Sequence, residues 1–202
     1  MKNSKNYSCS VSFLDLLFNM LLGFAALFVM AFAMINMKND ESKGKIDSKA
    51  DFIVGIEWAK ELDYDIDVYV EDPLGNLVCF KRREEGLLHL ERDDLGHRND
   101  TVMTPTGPQK FDLNKEYVTF RGYHPGEYCV NAHAYRIPDK SKCEVKVTVD
   151  KLNPSVKTVL MNSVELSNLG DERTLIRFTL DRDGNVVSSN TLFKRLVQGG
   201  KQ

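Results

Sequence analysis

The chain has 202 residues, with 27 Lys and Arg against 29 Asp and Glu and a net charge of −2. The two signs are interspersed along the sequence, which excludes the basic footprint that nucleic-acid binding needs, so no nucleic-acid partner is expected. Four cysteines occur without a C-x-x-C pair, which removes the common zinc and thioredoxin-type spacings.

Lys2 and Lys5 precede an apolar segment, and no charge occurs from Leu16 to Met37. As a helix that uncharged stretch rises about 33 Å, enough to cross a hydrocarbon core of about 30 Å. The chain therefore divides into a tail (1–10), a single transmembrane α-helix (11–37), a polar linker (38–50) and one further domain (51–202). Ala31-Phe32-Ala33 has the form of a signal-peptidase site. The run is too long for a usual signal-peptide core, and Asp15 and Asn19 interrupt its start, so a retained anchor is expected. Counting charges, Lys38, Lys43, Lys45 and Lys49 outnumber Lys2 and Lys5, which on its own favours a cytoplasmic C-terminus.

Asp15 is the first candidate functional residue, because an ionisable group in a membrane helix costs free energy and is kept for a purpose. At helical spacing Ser12, Asp15, Asn19, Gly23 and Ala26 share one face, a stripe of small and polar side chains in a helix otherwise made of Leu, Phe, Met and Val. Small residues allow close approach of helices in lipid and polar ones seek partners there, so this face is expected to meet protein. The competing reading makes Asp15 the N-cap of a helix starting at Leu16. That explains Asp15 but leaves Asn19 and Gly23 on the same face unaccounted for.

The run Phe13-Leu14-Asp15-Leu16-Leu17-Phe18-Asn19-Met20-Leu21-Leu22, after a short tail and before one apolar helix and a C-terminal domain, resembles the B subunits of ion-driven motors of the MotB, ExbD, TolR and ZorB type. The resemblance implies that Asp15 carries a proton or a sodium ion. It also implies that two copies of the chain sit inside a pentamer of multi-span A subunits of the MotA, ExbB, TolQ or ZorA kind. It places the chain in a bacterial inner membrane with the N-terminus cytoplasmic and the C-terminal domain periplasmic, against the charge count. No helix-rich segment matches an OmpA-like peptidoglycan-binding domain, a departure from MotB.

After the polar stretch the pattern has period two. Ile66, Val68 and Val70 alternate with Asp65, Asp67 and Tyr69. Tyr128, Val130, Ala132 and Ala134 form a second such set, and Val145, Val147 and Val149 a third. Turn chemistry falls at Asp72-Pro73-Leu74-Gly75-Asn76, Pro125-Gly126, Asn168-Leu169-Gly170-Asp171 and Asp183-Gly184-Asn185, the last joining 175–180 to 186–190 as a hairpin. If segments 128–136 and 143–150 form a hairpin around Pro138-Asp139, Cys129 and Cys143 fall at opposite ends of it, and no disulfide between them is expected. Many short strands and no long amphipathic helix indicate an all-β domain, a β-sandwich.

Trp58, Asp65-Ile66-Asp67-Val68-Tyr69-Val70-Glu71-Asp72-Pro73-Leu74-Gly75, the stretch 86–94 and Pro125-Gly126-Glu127-Tyr128-Cys129-Val130 are similar to uncharacterised bacterial β-sandwich domains that read W…DxDLxVxxPxG…LxxD…PGxYxV. That resemblance implies a fold and no activity.

Asp63, Asp65 and Asp67 open like an EF-hand, but Val68 stands at the sixth position and Leu74 at the twelfth, which excludes that loop. If Asp65 and Asp67 share a strand face near the Asp93-Asp94 loop, the four carboxylates form a candidate calcium site. The alternative is a solvated acidic face with Arg82, Arg92 or Arg98 as counter-charges. His89, His97, His124 and His133 lack zinc spacing, and no nucleophile or phosphate-loop motif occurs, so no enzymatic activity is expected. Two functions remain: a B subunit of an ion-driven motor, or a membrane-tethered β-sandwich that binds a protein or glycan.

Overall fold

A computed structural model describes residues 7–41, 50–111, 113–138 and 141–197. It has two units, a helical one and a β-domain. Helix α1 runs over Tyr7–Glu41, a length of about 52 Å. It extends the expected span at both ends, because 7–10 and 38–41 hold no Gly or Pro to stop it. Residues 38–41 of the expected linker are thus helical, while 1–6 and 42–49 lie outside the described residues. The segment Ser12–Phe32 is long and apolar enough to cross a membrane.

The remainder is built from antiparallel strands: β1 (Phe52–Glu57), β2 (Asp65–Glu71), β3 (Leu77–Val78), β4 (Glu84–Glu85), β5 (Leu88–Arg92), β6 (Thr101–Thr104) and β7 (Gly107–Lys110). They continue with β8 (Lys115–Phe120), β9 (Gly126–Arg136), β10 (Cys143–Lys151), β11 (Lys157–Leu166), β12 (Glu172–Leu180) and β13 (Val186–Asn190). One six-stranded sheet has the order β11-β10-β1-β8-β5-β4, a five-stranded sheet the order β13-β12-β9-β2-β3, and β6 and β7 form a separate two-stranded ribbon. The expected β-sandwich is the fold observed.

The alternation seen in the sequence places the core. Val54, Ile56, Val118, Phe120, Val145 and Val147 from one sheet meet Ile66, Val68, Val130, Ala132, Leu175 and Phe178 from the other. Tyr128 lies between the sheets, stacked on Phe120 at 5.0 Å and on Phe178 at 5.3 Å. Its hydroxyl accepts the His124 N–H at 2.9 Å and donates to the His124 carbonyl at 3.0 Å, closing the corner before β9. At that corner Gly126 has φ 137°, and a Cβ there would stand 2.6 Å from Pro73, so glycine is required.

The expected hairpin of 175–180 with 186–190 is present as β12 and β13. The one expected around Pro138-Asp139 is not, and Asp139 lies outside the described residues. Strands β9 and β10 belong to different sheets. Both point their alternate apolar residues into the same core, but from opposite sheets; alternation alone cannot distinguish strands of opposite sheets from hydrogen-bonded neighbours. Cys79, Cys129 and Cys143 are free and buried.

The five-stranded sheet is also covered on its outer face. Tyr69, Cys79, Cys129 and Leu196 form a second apolar cluster, in which residues 191–197 lie across the sheet as a strap. The strap is held through its backbone. Glu172 accepts the N–H groups of Leu196 at 2.6 Å and Val197 at 3.0 Å, Thr174 Oγ1 accepts that of Lys194 at 3.0 Å, and Asn131 Nδ2 donates to the Lys194 carbonyl at 2.7 Å.

Candidate functional site

In the helix, α1 begins at Tyr7, so Asp15 stands in its third turn and not at its N-cap. Every side chain from Ser12 to Phe32 is exposed, and nothing lies within 4 Å of a Cβ built on Gly23. The stripe of Ser12, Asp15, Asn19, Gly23 and Ala26 is therefore open, with room for a second helix to approach at Gly23.

The second site lies in the β-domain. Strand β3 pairs with β2 only at Val70 and Glu71, which leaves the first half of β2 as an open edge on that side. Glu116 fills it. The residue occupies an inward position of β8 in phase with Val118 and Phe120, and its Oε2 accepts the Val68 N–H at 2.6 Å. Its Oε1 accepts the Asp94 N–H at 3.0 Å, which draws the loop after β5 onto the same corner. Carboxylate oxygens of Asp67, Asp93 and Glu116 lie within 4.8 Å of one another there.

Gly96 lets that loop close down. Its φ is 66°, and an added Cβ would meet Asp63 Oδ1 at 2.8 Å and the Tyr64 carbonyl at 2.9 Å. Asp63 is fixed by Arg136, which donates from both Nη atoms at 2.7 and 3.0 Å, and by the His97 N–H at 2.9 Å.

Of the four expected ligands the structure brings Asp67 and Asp93 together and adds Glu116. Asp94 is turned away: Oδ2 accepts from Arg92 at 2.9 Å and Oδ1 from the Gly96 N–H at 2.9 Å. It is thus a loop-closing residue, a correction to its assignment as a ligand. Asp65 lies on the Asp67 face of β2, outside the group of three, and its Oδ1 is buried without a hydrogen-bond partner. The expected solvated face is also corrected, since Asp65 and Asp67 are each 3 % exposed and Glu116 1 %. Among the expected counter-charges Arg92 serves Asp94, Arg82 pairs with Glu85 at 2.6 Å, and Arg98 is exposed.

Glu116 belongs to neither of the acidic runs that mark the corner in the sequence, since it comes from a third strand, β8. A signal existed: Glu116 is charged and in register with the buried residues of its own strand, and a buried polar residue is the informative exception. Burial pushes its carboxyl well above the usual carboxylate range, and outweighs the two backbone N–H bonds. Asp67 is raised by burial and partly brought back by His133, whose Nδ1 is 3.3 Å away. Asp65 is pushed up to about 6, first by burial and then by the charge of Asp67. Crowded, buried carboxylates of this kind disfavour their own ionisation, and a cation among them reverses the balance.

Comparison with protein-family models, with curated proteins and with solved structures finds no match for this chain.

Proposed function

We propose that this chain is a B-type subunit of an ion-driven membrane motor, in which Asp15 carries a proton or a sodium ion and the β-sandwich transmits or anchors force. The observation that carries the reading is the position of Asp15: inside the helix, on a continuous open stripe with Ser12, Asn19, Gly23 and Ala26. Burial against a partner in low dielectric disfavours the charged form of a carboxylate, so changes in its surroundings make it load an ion on one side and release it on the other. A proton crossing the membrane yields about 2.3 kcal/mol per 100 mV, which is available for moving one subunit against another. The chain would lie in a bacterial inner membrane with its N-terminus in the cytoplasm and its β-domain in the periplasm, as two copies within a pentamer of multi-span A subunits.

The acidic corner of the β-domain favours a second reading, a membrane-tethered binding module in which the helix is only an anchor. Co-expression with a multi-span membrane protein encoded beside it, purification in mild detergent and measurement of the complex mass separates the two. The motor reading expects two copies of this chain per complex, and Asp15→Asn assembling normally while abolishing ion uptake into vesicles. A chain that purifies alone, or Asp15→Asn with full ion uptake, leaves the anchor.

A further inference from the structure

We propose that Asp67, Asp93 and Glu116 bind one calcium ion at the corner where β8 meets the open edge of β2, with Asp65 as a fourth carboxylate beside it. The inference stands independently of the motor reading, since it concerns the β-domain alone. Calcium holds oxygen ligands at 2.3–2.6 Å, so two ligands on opposite sides of the ion are about 5 Å apart. Three oxygens within 4.8 Å of one another fit into one such sphere. A donor set made only of carboxylate oxygens suits a hard cation rather than zinc or copper.

The unpaired oxygens are a separate observation. Asp65 is 3 % exposed, and its buried Oδ1 has no hydrogen-bond partner. It lies two residues before Asp67 on β2, opposite Arg136 of β9. Asp93 Oδ1 is likewise buried and without a partner. Folded proteins leave few buried carboxylate oxygens unpaired, and neither of these two accepts a bond from a cationic side chain. Arg136 forks onto Asp63 and Arg92 holds Asp94, while His133 reaches only Asp67. The missing positive charge is the one a divalent cation supplies.

Such an ion ties together three separate segments: β2 of one sheet, β8 of the other, and the loop that leads from β5 to the β6–β7 ribbon. That ribbon presents Val102 and Met103 to solvent and is connected to the corner through Asp100, whose carbonyl accepts the Phe111 N–H at 2.8 Å. Binding of calcium thus fixes the base of an exposed apolar hairpin.

The test uses the full chain in detergent micelles, stripped with chelator and then titrated with calcium chloride, with magnesium chloride and sodium chloride of equal ionic strength as controls. The expected results are about one calcium per chain by calorimetry, a rise in Tm with calcium exceeding that with either control, and slower proteolysis of 93–111. Asp93→Asn is the decisive variant, because Asp93 Oδ1 has no bond to lose: its chelator-stripped Tm should be at or above that of the parent, while its calcium affinity falls about tenfold or more. Glu116→Gln should abolish the calcium shift as well, and Asp93→Asn keeps the test open if that variant does not fold. Equal melting with calcium and with the controls, or an Asp93→Asn variant with undiminished calcium affinity, overturns the proposal.

Discussion

The Glu116 carboxylate accepts the Val68 N–H at 2.6 Å, so a side chain of one sheet completes the hydrogen bonding of an edge strand in the other. Its second oxygen does the same for Asp94 at 3.0 Å. Two buried donors therefore depend on one residue, and a buried donor that loses a charged acceptor costs about 1–3 kcal/mol. Glu116→Gln keeps the volume but turns an N–H₂ towards one of the two donors. We expect the chelator-treated variant to be less stable by about 1–3 kcal/mol in urea denaturation, with faster amide exchange at Val68 or Asp94. An unchanged midpoint with unchanged exchange would show that the tie is not needed.

Glu172 plays the corresponding part under the strap. Its Oε1 accepts from Leu196, Val197 and Asn131, three bonds on one buried carboxylate oxygen. Glu172→Ala should release residues 191–197 while leaving the core between the sheets intact. The Leu196 and Val197 amides should exchange faster by about one to two powers of ten, equivalent to about 1.4–2.8 kcal/mol. Cys129 gives a second readout. Burial pushes its thiol up to about 11, so at pH 8 only about one part in a thousand is thiolate. Uncovering Cys129 moves it towards its ordinary value, and alkylation in the native state should accelerate. Equal labelling of parent and variant would mean that the strap stays down without Glu172.

Much of this was legible in the sequence, and the limits have physical causes. Period-two alternation identifies half-buried strands, and the Asp-Gly-Asn turn pairs β12 with β13 because a tight turn fixes its own neighbours. Alternation is silent about which sheet a strand joins, and so β9 and β10 read as a hairpin although they lie in opposite sheets. The strap left no pattern, since it binds through backbone N–H and C=O groups that every residue carries. The acidic corner was half legible: Asp67 and Asp93 belong to local acidic runs, whereas Glu116 enters from a strand far away in sequence.

The turn at Asn168-Leu169-Gly170-Asp171 makes a pH-dependent prediction. Asp171 Oδ2 accepts the Ser167 N–H at 3.0 Å and the Asn168 N–H at 2.9 Å. These bonds, that of Ser167 foremost, hold its carboxyl below the usual range despite some burial. A carboxyl whose folded pKa is depressed contributes stability above its unfolded value, about 3.9, and loses that contribution as the pH falls through the folded value. Asp171→Asn should therefore lower stability at pH 7 by about 1 kcal/mol. The gap between variant and parent should close as the pH falls through the lowered folded value of Asp171. A gap that stays constant as the pH falls from 7 until the Asp171 carboxyl is protonated would assign the loss to shape rather than charge.

Helix α1 makes the sharpest claim about assembly. With Ser12, Asp15, Asn19 and Gly23 on one open side, a solitary helix would present polar groups to lipid, an arrangement that favours pairing with itself and with a larger membrane partner. Gly23 has no side chain, so it is the natural point of close approach. Gly23→Leu should therefore weaken co-purification with a partner more than Leu27→Ala, a truncation off the stripe. Single cysteines placed in a background without native thiols read the same geometry. Those at Ser12, Asn19, Gly23 and Ala26 should cross-link into dimers or adducts in native membranes, while those at Leu17 and Phe28 should not. Asp15→Asn should leave this pattern unchanged, because the amide keeps the size and hydrogen-bonding capacity of the carboxyl and removes only its ability to exchange a proton. Cross-linking of equal yield around the whole helix would mean that the stripe selects no partner, and α1 would then be an anchor without a preferred face.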